Sequence, residues 1–261
     1  MVQANLDGKW TLLDVDSPLR PMGYPKTIAL NYKGLRIEKV TQEWINIDVP
    51  SSRENFTIRC TVEGSKLVGT FQNKSKGYNG ISERFTYQEN KQGNHWQKRL
   101  SNTGSTIKID TLKVENYENI NEDFISEFQF EIEDWVIEND DFLYISPMII
   151  PDIKNNPFIS EKRQYPVDFN YRTTRQYALQ LTIPEGYEIE QLPENTNIEL
   201  PGKGGSFRLS TTLLDDKIQF VTSLDIKRLQ YKPTEYELLR DCYTTMTAAF
   251  DDMIVLKKKA E

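Results

Sequence analysis

The chain has 261 residues, of which 27% are charged and 38% hydrophobic, and its formal net charge is −7. This composition is typical of a folded globular protein and excludes a disordered chain, and the negative charge predicts no nucleic-acid partner. No apolar stretch approaches the roughly 20 residues that cross a bilayer, and the N-terminal residues lack the pattern of a signal peptide. We therefore predict no transmembrane segment and no signal peptide in this chain. The length predicts two domains.

The first predicted domain, residues 1–104, is β-rich with one helix. Phe56, Ile58 and Cys60 alternate with polar residues, which predicts a strand with one wet face, and the turn at 63–65 then predicts a hairpin. A helix is predicted near 78–100. The turn-forming sequence Ser-Asn-Thr-Gly at 101–104 predicts the boundary between the two domains.

The second predicted domain, residues 105–261, is an antiparallel β-sandwich with a C-terminal helix. Its strongest alternation of apolar and polar residues falls in 124–133, 177–183 and 218–226, a pattern typical of strands in two sheets packed face to face. From Pro233 onward, apolar residues recur at spacings of three and four, which predicts a helix near 233–250. The predicted fold class is therefore mainly β.

Few residues of the chain suit metal or thiol chemistry. Cys60 and Cys242 lie far apart, so a disulfide is not implied, and His95 is the only histidine. We predict no metal site and no cofactor. The glycine cluster at 201–206 is followed by strand-like alternation rather than a helix, so it predicts a hairpin turn instead of a phosphate loop.

Several separate segments of the second domain carry a resemblance to one family. Most of residues 105–261 resembles the C-terminal β-domain of unknown function found in large bacterial transglutaminase-like proteins. In that family, a transglutaminase-like core precedes this domain. The matching segments are NPFISEKRQYPVDF at 156–169, IPEGY at 183–187, LP at 192–193, GSF at 205–207, YELLR at 236–240 and IVLKK at 254–258.

The N-terminal stretch GKWTLLD, residues 8–14, is similar to the end of the transglutaminase-like core, and residues 77–84 are similar to the segment that follows the core. The resemblance implies that residues 1–104 are a remnant of the core and its connection, and that Asp14 corresponds to the acid of a Cys-His-Asp triad. None of the 13 residues before Asp14 is Cys or His. We therefore expect Asp14 to be a vestigial triad acid.

A site rebuilt from Cys60 or Cys242 with His95 is not expected, because Cys60 lies within a predicted strand whereas activated thiolates favour a helix N-terminus or a neighbouring imidazolium. The resemblance thus implies a non-catalytic binding or scaffolding portion of a transglutaminase-like envelope protein, located in the periplasm or cell envelope. Its partner would be a protein or a glycan, and the chain alone would not be an enzyme.

Two alternatives remain open. A β-sandwich with exposed aromatic side chains suits a carbohydrate-binding module, and Trp44, Trp96 and Trp135 are the candidate glycan contacts. A hydrolase with two paired carboxylates would need converging acids in a cleft, at least one of them with a raised pKa. With 39 acidic residues, the sequence does not select such a pair.

Overall fold

The fold is described from a computed structural model. The structure describes residues 1–14, 16–91, 94–101, 105–150 and 154–259. It is mainly β with a C-terminal helix, as predicted.

The regular elements within these ranges are numbered in chain order. The helices are α1 (Tyr78–Glu89), α2 (Asn94–Ser101) and α3 (Tyr236–Ala249). The strands are β1 (Val2–Leu6), β2 (Lys9–Leu13), β3 (Lys33–Ile37), β4 (Gln42–Asn46), β5 (Ser52–Glu63), β6 (Lys66–Lys76), β7 (Ile107–Ile109), β8 (Lys113–Glu115), β9 (Phe124–Ile132), β10 (Val136–Asn139), β11 (Phe142–Ile145), β12 (Val167–Asp168), β13 (Thr173–Thr182), β14 (Tyr187–Gln191), β15 (Thr196–Glu199), β16 (Gly205–Leu214), β17 (Lys217–Ile226), β18 (Gln230–Tyr231) and β19 (Ile254–Lys258).

One large sheet forms the centre of the molecule. Among the described residues it holds nine strands in the order β15-β16-β17-β13-β5-β6-β9-β7, with β8 also paired to β9. The predicted hairpin at 63–65 is present as β5–β6, and the glycine cluster at 201–206 joins the antiparallel strands β15 and β16 as expected. The described strand pairs within residues 105–261 are antiparallel as predicted, and the parallel pair, β5 with β13, joins the two predicted domains, with Ser52 opposite Thr173.

This sheet includes strands from both sides of the predicted domain boundary. β5 and β6 come from the first predicted domain and pair with β13 and β9 of the second. The predicted division at residue 104 therefore does not coincide with a break in the sheet. Residues 102–104 of the predicted boundary lie outside the described residues.

A smaller sheet in the order β10-β11-β19-β14 and helix α3 complete the main core. Apolar and polar residues alternate along the long strands because one face of each strand is buried in this core. Side chains from the large sheet, the small sheet and α3 form one hydrophobic cluster. Its buried members include Phe56, Phe71, Tyr177 and Phe220 from the large sheet, Leu143, Ile145, Ile254 and Leu256 from the small sheet, and Leu239 from α3.

The helix predicted near 78–100 is two helices. α1 ends at Glu89, with Asn90 as its C-cap, and α2 begins at Asn94. At the start of α1, Gly77 has φ +65°, and the next backbone amide, that of Tyr78, donates to Ser52 Oγ at 2.8 Å. The helix predicted near 233–250 is present as α3, preceded by a 3₁₀ turn over 233–235.

Arg84 of α1 fixes the chain that leads into β9. Its side chain is buried, and its guanidinium donates to the backbone carbonyls of Asn116, Tyr117, Asn119 and Glu122 at 2.9–3.2 Å. Five N–H groups in a rigid fork suit such a set of acceptors.

The first 49 residues form a second, much smaller core. Two hairpins, β1–β2 and β3–β4, are each a two-stranded sheet. The buried residues of this core include Leu12, Leu30 and Val49, and α1 contributes Tyr78 and Ile81. The Tyr78 hydroxyl donates to the carbonyl of Pro25 at 2.8 Å, which fastens this region to α1.

Candidate docking surface

Asp14, the expected vestigial triad acid, follows β2 directly. Its Oδ2 accepts a hydrogen bond from the backbone amide of Lys26 at 2.8 Å, which ties together two ends of the segment 14–26. In this position Asp14 has a structural role, because its carboxylate holds the start of a loop against the end of that loop.

Neither cysteine is placed as an activated nucleophile. Cys60 lies within β5 with only 6% of its surface exposed, and burial raises the pKa of its thiol far above the ordinary value. Burial also raises the pKa of Cys242, on α3. Both thiols are free, and the Sγ atoms lie 3.6 Å and 3.7 Å from the carbonyls of Gln180 and Glu199 respectively. A raised pKa keeps a thiol protonated at neutral pH.

His95 lies on α2 and is held neutral. Burial, together with the charge of Arg99, lowers its pKa to about 4. Its two ring nitrogens are buried and form no hydrogen bond within the described part of the chain. Its Nε2 lies 4.0 Å from Glu83 Oε2, and its ring packs against that of Trp96. The structure therefore does not bring His95 into a hydrogen-bonded pair with either thiol.

The three tryptophans predicted as glycan contacts occupy different environments. Trp96 has no exposed surface and packs against Phe71 and Phe128, so the prediction that it contacts a glycan is at odds with its position. Trp135 is half-buried against the main core, and its Nε1 donates to the carbonyl of Ser146 at 2.9 Å. Trp44 is 70% exposed on β4. Only Trp44 of the three presents a free aromatic face.

Trp44 belongs to an exposed apolar surface on the β3–β4 hairpin. We define the hairpin surface as Leu35, Ile37 and Trp44, which are exposed and lie on one face of this hairpin. Leu35 and Trp44 face each other across the β3–β4 pair, and Ile37, which is 69% exposed, lies on the same face as Leu35. A cluster of exposed apolar side chains is more informative than single ones, because it is a common mark of an interaction site.

The geometry of the hairpins follows from local sequence. Asp7 and Gly8 both have positive φ, at +49° and +82°, and this two-residue connection with an Asp-Gly sequence is the preferred turn of a tight hairpin. The Arg36 guanidinium lies 4.7 Å from the centre of the Trp10 ring, which joins the two hairpins, and it pairs with Glu38 and Glu43. A groove of about 530 Å³ runs between them, lined by Val2, Trp10, Leu35 and Ile37 among others.

Sequence reasoning identified Trp44 but not the rest of this surface. The signal in the sequence was the alternation of Leu35 and Ile37 with Gly34 and Arg36. Alternation predicts that a strand has one apolar face, but whether another element covers that face depends on distant residues.

A buried ion-pair network is a second feature that the sequence did not reveal. The side chain of Glu54 on β5 is only 5% exposed, and its carboxylate accepts from Arg175 Nε at 2.8 Å and from Arg99 Nη2 at 3.5 Å. Arg99 in turn pairs with Glu83 at 3.4 Å. The network joins β5, β13, α1 and α2.

Four carboxyl groups have a lowered pKa. They are Asp16, Glu131, Glu133 and Glu235, and the pKa of Glu235 is about 2. For Glu131 and Glu133 the cause is hydrogen bonding to Lys66 and Lys108, as at Lys108 Nζ to Glu133 at 2.6 Å. These two acids thus favour their ionised form.

Within the ranges that the structure describes, no three His, Cys, Asp or Glu side chains are grouped to hold a metal ion. None of the described helices has the length and apolar character needed to span a bilayer.

The fold and these positions define a mainly β protein with an exposed apolar surface at its β3–β4 hairpin. Residues 141–256 match the family model described as a domain of unknown function with a solved structure, DUF3858. The match spans β11 to most of β19, so the large sheet extends beyond it through β5, β6 and β9.

A crystal structure of a protein from Parabacteroides distasonis, described as "a putative protease", is similar at 16% sequence identity and a TM-score of 0.39. The similarity covers 46% of this chain and 24% of the other, so the matched region spans about a quarter of that protein's length. No curated protein matches the chain.

Proposed function

We propose that this chain is a non-catalytic binding or scaffolding portion of a transglutaminase-like envelope protein, and that the hairpin surface is where it binds a partner protein. The observation that carries the proposal is the exposed apolar cluster of Leu35, Ile37 and Trp44 on the β3–β4 hairpin. Interaction surfaces of soluble proteins characteristically combine exposed aromatic and aliphatic side chains with a polar rim. Here the polar residues on the same face of the hairpin include Lys33, Gln42 and Asn46.

The absence of catalysis is part of the proposal. It is supported by the raised pKa of Cys60, by the lowered pKa of His95, which makes its imidazole a weak base, and by the lack of a hydrogen bond from the His95 ring nitrogens to any described residue. A thiol nucleophile requires a base within hydrogen-bond reach. The purified chain should therefore show no acyl-transfer or peptidase activity above buffer, and activity that Cys60→Ala abolishes would contradict the proposal.

The binding surface is tested with a separately produced transglutaminase-like core from the same genome. We expect calorimetric titration to show saturable binding, and Ile37→Asp to weaken it by about tenfold or more, because a charge would then be buried in an apolar contact. Ile159→Asp is the matched control, since Ile159 is also exposed but lies outside the hairpins. Equal effects of the two substitutions, or no binding by the unmodified chain, would overturn the proposal.

A second candidate, a carbohydrate-binding module, is favoured by one observation, the exposed ring of Trp44. Aromatic faces stack on sugar rings. Titration of soluble glycans against tryptophan fluorescence tests it. A saturable change that Trp44→Ser removes would favour this candidate, and no change with any glycan would leave the protein-binding proposal.

A further inference from the structure

A cleft lies where α1, β13, β17 and α3 come together. Its volume is about 330 Å³, and its lining includes Asn79, Phe169, Thr173, Arg175 and Tyr243. We call it the Arg175 cleft. Its volume is at the lower end of the range typical of small-molecule sites.

Three side chains of the cleft have hydrogen-bond donors left over. Arg175 gives its Nε and Nη2 groups to Glu54, and its Nη1 group contacts no described acceptor. Thr173 Oγ1 accepts from Asn79 at 3.2 Å but donates to no described residue. The Tyr243 hydroxyl has no described partner, and burial raises its pKa, so it stays protonated as a donor. These three groups can therefore donate hydrogen bonds to a ligand that offers an acceptor.

The free Nη1 group of Arg175 is a charged donor, which favours an anionic acceptor. Glu54 is shared between the guanidinium groups of Arg175 and Arg99, and Arg99 also pairs with Glu83. The side chain of Arg175 is 34% exposed, which leaves it accessible from solvent. Guanidinium groups bind carboxylates with charge-assisted hydrogen bonds, which are stronger than neutral ones.

The rest of the lining is apolar, with one acid. Phe169, Leu224 and Ile226 supply apolar walls, and Asp168 also lines the cleft. Asp168 Oδ1 accepts from Tyr32 and Gln230, at 2.8 Å and 3.1 Å. Apolar walls with a few convergent polar groups are the usual make-up of a ligand site.

We infer that the Arg175 cleft binds a carboxylate that carries an apolar side chain, such as the C-terminus of a peptide or a free apolar amino acid. The carboxylate lies against Arg175, Thr173 and Tyr243, and the side chain against Phe169, Leu224 and Ile226. This inference is independent of the proposed partner surface, because it involves none of the hairpin residues.

The test uses nuclear magnetic resonance titration of the full chain with three probes, N-acetyl-leucine, its carboxamide N-acetyl-leucinamide, and leucine. N-acetyl-leucine should shift the backbone amides of residues 170–175 saturably, and the carboxamide should bind about tenfold more weakly, because it lacks the charge that Arg175 recognises. Leucine separates the two sources of carboxylate. Tighter binding of leucine than of N-acetyl-leucine identifies a free amino acid, since only leucine offers an ammonium group to Asp168, and the reverse identifies a peptide end.

Substitutions locate the site without breaking the ion-pair network. Tyr243→Phe and Thr173→Val each remove one hydroxyl and should each weaken N-acetyl-leucine about threefold to tenfold. Arg175→Gln should abolish binding, but it also disturbs Glu54, so the hydroxyl variants carry the test. Arg59→Gln is the control, because Arg59 is an exposed arginine on the other face of β5. Equal binding of acid and carboxamide, no saturable shift, or unchanged affinity in both hydroxyl variants would overturn the inference.

Discussion

The large sheet and the N-terminal hairpins differ in how much of their apolar side chains is exposed to solvent. The sheet buries them in one continuous core with the small sheet and α3, whereas the hairpins leave Ile37 and Trp44 about two-thirds exposed. The small core beneath the hairpins rests on five buried residues, two of which belong to α1. Stability therefore resides in the sheet, while the hairpins are held at a few points and keep an apolar surface exposed.

The largest effect should follow from breaking the sheet core. Phe71 is fully buried and packs against Phe56, Trp96 and Phe128, so Phe71→Ala should lower the free energy of unfolding by about 4 kcal/mol. Urea unfolding followed by tryptophan fluorescence measures it. Leu238→Ala is the control, since Leu238 on α3 is 60% exposed and should change stability by less than about 0.5 kcal/mol. Similar losses for both would contradict the comparison.

The next effect concerns pH and α2, which covers the large sheet. The pKa of His95 is about 4 in the folded chain and 6.5 in the unfolded reference, so the unfolded chain takes up the proton first as pH falls. The stability that neutral His95 contributes is thus present above pH 6.5 and is lost between 6.5 and about 4, by about 3 kcal/mol in total. The free energy of unfolding, measured with denaturant at several pH values across this window, should fall less steeply with decreasing pH in His95→Gln than in the unmodified chain. An identical pH dependence of the free energy of unfolding in the variant would contradict the prediction, because it would mean that other titratable groups cause the loss of stability.

A smaller and local effect is expected at the junction of the two regions. Tyr78→Phe removes the buried hydrogen bond to the Pro25 carbonyl and should cost about 1 kcal/mol. Because this bond holds the hairpin region to α1, hydrogen exchange should quicken in residues 9–49 and stay unchanged in β5 and β6. Faster exchange throughout the large sheet would show that the two regions unfold together.

The smallest effect should be at the hairpin surface itself. Trp44 is exposed, so Trp44→Ser should change the free energy of unfolding by less than about 0.5 kcal/mol. The same unfolding measurement applies, with Trp96→Phe as a contrasting variant of a buried tryptophan. A loss above about 1 kcal/mol at Trp44 would show that its ring contributes to folding rather than to binding.

Local patterns in the sequence predicted the elements but not their long-range arrangement. The alternation around Phe56 and the spacing of apolar residues after Pro233 reflect burial of one face, so β5 and α3 were predictable. The parallel pairing of β5 with β13 has no local signal, because hydrogen bonding between backbones leaves no mark on side-chain order. The division of the predicted 78–100 helix was likewise missed, although glycines in the segment lowered its helix propensity.

The candidate site was less predictable than the fold. Trp44 and Trp96 are the same residue type in polar surroundings along the chain, yet one is exposed and the other has no exposed surface. Their difference arises from what packs over them, namely the aromatic rings of the large sheet over Trp96. The network of Glu54, Arg99 and Arg175 joins residues that are up to 121 positions apart, so no local sequence motif predicts it.

The parallel pair of β5 and β13 has a consequence for synthesis of the protein. β5 and β6 leave the ribosome well before β9 and β13, the strands that flank them in the finished sheet. Until those later strands arrive, the nascent hairpin has two open edges, and long-range pairing of this kind slows folding. A shortened chain that kept only the family-matched residues 141–256 would instead leave β13 without its parallel neighbour, and its free edge would favour self-association.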